Sequence, residues 1–179
     1  MTAAAYDVVI LGSGQAAGPL ATSLTKTGKR VALVEREHVG GTCINEGCTP
    51  TKTMVASARV AYLARRSADY GVRTGDVSVD MTVVRKRKRD IVDSFRGSST
   101  RAIESGGVDL ISGEAWFESK DVITVRESDG GERSLQAPIM VINTGARSAT
   151  PRIPGLDSVD ALDSTSVMEL DMVPEHLVV

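Results

Sequence analysis

One short stretch constrains the fold of this chain more than any other: Tyr6-Asp7-Val8-Val9-Ile10-Leu11-Gly12-Ser13-Gly14-Gln15-Ala16-Ala17. A run of β-branched residues that stops on glycine reads as a buried parallel strand, because such strands are covered on both faces and need not alternate apolar with polar. From Gln15 to Thr27 the residues are mostly small or apolar, and Gly28 supplies a stop, so a helix follows. Residues 30–35 then read as a second buried strand, completing a βαβ unit. In that context the glycine spacing has a physical meaning. Gly12 allows the tight turn off the strand, and Gly14 lets a pyrophosphate approach the backbone. Ala17 is small enough for the helix to pack on the sheet with its amino terminus toward the phosphates. Glu35 falls at the end of the second strand, about twenty residues on, where an acidic side chain can hydrogen-bond a ribose hydroxyl. The expected ligand is a dinucleotide, and the spacing alone does not separate FAD from NAD.

With 179 residues, the chain has room for one main domain with a real core. Residues 43–70 are Ala- and Arg-rich with Pro50 as an early breaker, and read as mostly helix closed by Gly71. Residues 81–105 read as another helix, with Val83, Val84, Ile91, Val92, Phe95 and Ile103 offered as a buried face. Residues 108–117, 122–126, 133–136 and 139–143 then read as short strands, with a hairpin turn at Ser128-Asp129-Gly130-Gly131. Ile139-Met140-Val141-Ile142 is expected to rejoin the main sheet as a core strand. Residues 144–155 read as loop, 164–170 as a short helix, and 174–179 as the opening of a further buried strand. The expected fold class is α/β: a Rossmann-like doubly wound parallel sheet with an inserted small antiparallel β meander.

Composition narrows the function. The longest apolar runs fall short of the roughly 18 residues of a membrane helix, so no membrane role is expected. The first residues lack a basic region followed by a long apolar one, which leads to a cytoplasmic location, where a structural disulfide is out of place. A net charge of −2 gives no field for holding nucleic acid. The run Arg85-Lys86-Arg87-Lys88-Arg89 has no interleaved aromatic residues and reads as a solvated helix face.

Both cysteines lie in Gly40-Gly41-Thr42-Cys43-Ile44-Asn45-Glu46-Gly47-Cys48-Thr49-Pro50-Thr51-Lys52. No second pair exists and His38 and His176 are poorly placed, so no zinc site and no other metal ligands are expected. On an ideal helix, residues five apart lie roughly 8 to 9 Å apart at Cα, beyond a relaxed disulfide. The segment must therefore be distorted, with Gly47 supplying the freedom, and a bond across such a turn suits a redox couple better than a staple.

Gly-Gly-Thr-Cys-x4-Cys-x-Pro-x-Lys resembles the active-site signature of the flavin-dependent pyridine nucleotide disulfide oxidoreductases, which include glutathione reductase, lipoamide dehydrogenase and mercuric reductase. Residues 143–155, Asn-Thr-Gly-Ala-Arg-Ser-Ala-Thr-Pro-Arg-Ile-Pro-Gly, are similar to the family's second FAD motif, with Asn143 in place of a more usual alanine. The resemblance implies FAD as cofactor. It places Gly12, Gly14, Ala17 and Glu35 on the adenosine half and counts Gly41 among the contacts. It puts Thr42 near the flavin phosphates and brings Thr144 and Gly145 against the cofactor. It makes Cys48 the charge-transfer thiol, Cys43 the interchange thiol that meets substrate, and Lys52 a neighbour of the reactive flavin ring. It implies NAD(P)H as reductant and a small-molecule, metal-ion or disulfide substrate. Glu46, Thr49 and Thr51 look most like mercuric reductase and its relatives. By the same resemblance, residues 1–170 are the first part of an FAD-binding domain and residues 171–179 begin a nicotinamide-binding domain absent from this chain. The full-length family is expected to be homodimeric. A non-catalytic nucleotide-binding fragment is the alternative.

Overall fold

The computed structural model describes residues 3–179. Its elements are β1 (Ala4–Ala5), β2 (Val8–Leu11), α1 (Ala17–Lys26), β3 (Val31–Glu35), α2 (Gly41–Asn45), α3 (Cys48–Arg65), α4 (Met81–Ser105), β4 (Asp109–Phe117), β5 (Val122–Glu127), β6 (Glu132–Gln136) and β7 (Ile139–Ile142). Single 3-10 turns lie at Ser67–Tyr70, Leu156–Ser158 and Ser166–Glu169. The chain divides into two compact units: the stretch up to Asn45 with Ser94–Arg147, and Glu46–Asp93 with Ser148–Val179.

The first unit holds the whole sheet, in the order β1-β6-β5-β4-β3-β2-β7. β2 pairs in parallel with β3 on one side and with β7 on the other, and β3 pairs in parallel with β4. β4 belongs to two ladders. Its residues Asp109 to Ser112 lie along β3, and Gly113 to Phe117 turn onto β5, antiparallel. The expected parallel sheet and inserted meander are therefore joined by one shared strand.

Every residue of β2 is buried, as the unbroken apolar run requires. Val8 and Ile10 face a helical layer with Ala17, Ala21 and Ile103 from α1 and the end of α4. Val9 and Leu11 face the opposite way, onto Ile123, Val125 and Leu135 of the meander. The second face of the sheet is thus covered by strands rather than by a second helical layer. A fully buried Val, Ile or Leu contributes about 1.5–3 kcal/mol, so this double-sided strand anchors the unit.

β7 corrects one expectation. It does return beside β2, but at the edge of the sheet, with Ile142 68% exposed. A four-residue apolar run does not reveal how many neighbours its strand has.

In the second unit, α3 buries only Pro50 and Thr53 and leaves Val55, Val60, Tyr62 and Leu63 exposed. The stretch over 43–70 is mostly helix as expected, and its one break before Arg66, at Glu46 and Gly47, falls where the cysteine spacing asked for a distortion. The basic run on α4 is not a fully solvated face. Lys88 is 4% exposed, donates to the Met168 carbonyl at 2.9 Å and pairs with Glu169. Arg85 pairs with Asp171, and Arg87 donates to the Thr53 carbonyl at 2.9 Å. Conversely, Val83 and Phe95, expected to be buried, are exposed. The segment around the 3-10 turn at Ser166–Glu169 takes the cationic side of α4, which sequence periodicity alone could not show. Residues 174–179 are exposed and form no strand.

Candidate functional site

Gly12 leaves β2 with φ of 93°, and a Cβ there would collide with the Asn143 carbonyl oxygen. The position therefore needs glycine on two independent grounds, handedness and space. Ala17 is fully buried at the start of α1, and its N–H donates to the Gly14 carbonyl at 2.8 Å. Pro19 falls in the first turn, where a missing N–H breaks no helical bond.

Ser13, between the glycines, is 3% exposed. Its N–H donates to Glu35 Oε2 at 2.9 Å, and its hydroxyl donates to the same oxygen at 2.6 Å. The hydroxyl also accepts the Gly40 N–H at 3.0 Å. Glu35 Oε1 accepts the Glu37 N–H at 2.9 Å. Burial, the largest single influence, pushes the Glu35 carboxyl up, but donations from Glu37, Ser13 and Arg36 together outweigh it and hold the group below the ordinary carboxylate value. Glu35 is therefore an ionised acceptor fixed at the end of β3, suited to a pair of vicinal hydroxyls. Ser13 was not singled out in the sequence; the signal was a small hydroxyl residue inside a turn, a type that bonds local backbone.

The cysteine-bearing segment begins against this turn. Gly41 has φ of 61°, and a Cβ on it would lie 2.7 Å from Gly14 Cα, so the start of α2 and the glycine turn meet backbone to backbone. Gln15 Nε2 donates to the Gly40 carbonyl at 3.0 Å and ties the two further. Asn45 closes α2, donating to the Gly41 carbonyl at 3.0 Å while accepting from Arg96 Nε at 2.9 Å. Thr42 is exposed and Cys43 half-buried on the short helix between. In the second unit, Cys48 opens α3 with Gly47 as its N-cap residue, and Lys52 follows one turn on; both are exposed.

The end of β7 completes the first unit's arrangement. Asn143 N–H continues the parallel ladder to the Leu11 carbonyl at 2.8 Å, and its side-chain Nδ2 donates to the Gly12 carbonyl at 3.1 Å. Thr144 and Gly145 are exposed beyond it, Gly145 with φ of 75°. The first unit thus brings Gly12, Gly14, Ala17, Glu35, Gly41 and the Asn143-Thr144 step together. Side-chain-free glycines, a helix amino terminus and an anchored acid fit the diphosphate and ribose of a dinucleotide such as FAD.

The fold and this turn define an α/β protein with a glycine-rich strand–turn–helix of the dinucleotide-binding kind. The profile of the pyridine nucleotide-disulphide oxidoreductases matches residues 6–179, and the chain belongs to that family. It is 38% identical over 175 residues to a mercuric reductase of Bacillus cereus, covering 97% of this chain and 27% of that protein. It is 34% identical over 181 residues to a dihydrolipoyl dehydrogenase of Chlorobaculum parvum, covering 99% of this chain and 38% of that protein. Among solved structures, the HOCl-induced flavoprotein disulfide reductase RclA of Escherichia coli superposes with a TM-score of 0.77 at 32% identity, covering 94% of this chain and 35% of that one. The chain thus spans about a quarter to two fifths of the length of these relatives.

Proposed function

We propose that this chain is an FAD-binding portion of a flavoprotein disulfide oxidoreductase, carrying a redox-active Cys43/Cys48 pair that passes electrons from NAD(P)H to a disulfide, metal-ion or similar acceptor. A mercuric reductase-like acceptor is favoured by the likeness to the mercuric reductases. The observation that carries the reading is the backbone contact between Gly41 and Gly14, which starts the cysteine motif on the nucleotide-binding turn.

FAD, when bound, supplies two-electron chemistry between nicotinamide and thiols. The chain's own groups divide the remaining work. Glu35 accepts from ribose hydroxyls, and the Gly12–Gly14 turn at the start of α1 receives the pyrophosphate. Thr42, Thr144 and Gly145 line the approach to the flavin half. Oxidised, the Cys43/Cys48 pair takes up two electrons and two protons to become a dithiol, and returns them to the acceptor. Lys52 brings a positive charge one turn from Cys48.

The test is an absorption spectrum of the chain after incubation with FAD and removal of free flavin, followed by anaerobic dithiol. Retained flavin with a new long-wavelength band, and a thiol titre that changes by two, is the expected result. Retained flavin with an unchanging thiol titre and no NAD(P)H oxidation favours a nucleotide-binding portion without turnover, a reading motivated by the small share of each relative that the chain spans. A colourless protein whose thiol titre never changes would overturn both readings.

A further inference from the structure

The peptide unit joining Gly12 to Ser13 is held at both ends. Its carbonyl accepts from Asn143 Nδ2 at 3.1 Å, and its N–H donates to Glu35 Oε2 at 2.9 Å. The peptide is planar, so fixing these two groups fixes the direction in which the following backbone leaves the strand. We propose that Asn143 is a positioning residue for nucleotide binding, acting through the Gly12 carbonyl to hold the turn in its pyrophosphate-receiving form. This rests on the reading of the turn as an FAD site.

The need for such a residue follows from the turn itself. Gly12 must be glycine, because a Cβ would meet the Asn143 carbonyl oxygen and φ is positive. Glycine, however, enters many conformations at similar cost and does not hold the one it is in. A peptide next to glycine can rotate about its two flanking bonds unless something outside the turn restrains it. Glu35 restrains the N–H end from β3, on one side of β2. Asn143 restrains the carbonyl end from β7, on the other side. The register makes this possible, since Leu11 pairs with Ile142 and the next step sets Asn143 beside Gly12. An alanine at this position keeps the ladder bond to Leu11 but has no donor for the Gly12 carbonyl. The same amide nitrogen lies 3.1 Å from where a Gly14 Cβ would stand, so Asn143 also limits the room beneath the second glycine.

The experiment has two arms. In the first, amide hydrogen exchange of the nucleotide-free chain is followed by NMR for Asn143→Ala and for Asn143→Asp, which keeps the shape and removes the donor. Exchange at Ser13 is expected to rise roughly five- to tenfold, the loss of about one hydrogen bond, while β4 amides keep their wild-type rates. In the second arm, FAD is titrated into wild type and Asn143→Ala, and the dissociation constant is expected to rise by roughly the same factor. Unchanged Ser13 exchange, a uniform acceleration across the sheet, or an FAD affinity within twofold of wild type would each overturn the proposal. If the wild-type chain takes up no FAD, the functional reading fails, and the exchange arm still decides whether Asn143 holds the turn.

Discussion

Replacing Gly41 by alanine tests the contact that places the cysteine motif on the Gly12–Gly14 turn. Two costs apply. At φ of 61° an L-residue sits in the left-handed region, at about 1–2 kcal/mol. The new Cβ would also lie 2.7 Å from Gly14 Cα, closer than real Cβ atoms approach, and the atom it meets is backbone that cannot swing aside. Overpacking of this kind costs about 1–3 kcal/mol, giving a sum of about 2–5 kcal/mol. Gly28→Ala is the matched control, because Gly28 has φ of 82° and open space where its Cβ would be, so only the first cost applies. Urea unfolding of wild type and both variants measures the difference directly. Gly41→Ala should be the less stable variant by about 1–3 kcal/mol, and in a chain of this size each kcal/mol moves Tm by about 2–4 °C. Equal destabilisation by the two substitutions would refute the backbone contact.

Glu35 sets an acid limit. Its carboxyl is lowered in the folded state, so the stability it contributes is present above the ordinary carboxylate range and is lost as pH falls through that range and below it. Glu35→Gln should flatten the acid side of a Tm against pH profile, and an unaltered profile would contradict the Ser13 and Glu37 bonds. In the second unit, Glu169→Ala should cost more than Lys88→Met, by about 1–3 kcal/mol in chemical denaturation, because the first strands a 4%-exposed ammonium on a single carbonyl while the second leaves a half-exposed carboxylate in water. Alkylation followed by mass spectrometry should modify exposed Cys48 before half-buried Cys43; the reverse order would contradict this difference in exposure.

Much of this was legible in the residues. The βαβ unit announced itself because Val8 to Leu11 and Val31 to Val34 are unbroken apolar runs flanked by glycine and charge. The bounds of α4 and the hairpin turn between β5 and β6 followed from local preference. What local pattern cannot carry is the identity of a distant neighbour. Lys88 looked like surface because its partners, Met168 and Glu169, come 80 and 81 residues later. β7 looked like a core strand because nothing in four apolar residues tells edge from centre. Asn143 was visible only as a departure from alanine, since its bond to Gly12 spans 131 residues and depends on parallel register. Ser13 was hidden by the glycines around it.

The division of β4 between two ladders bears on how the first unit comes apart. Four of its residues are committed to β3, the strand that carries Glu35, and the next five to the hairpin of β5 and β6. Neither layer can shed that strand without the other losing a border. Loosening of the outer hairpin is consequently felt along β3, as far as its last residue, Glu35. One length of backbone makes the meander and the parallel strands a single unit of unfolding.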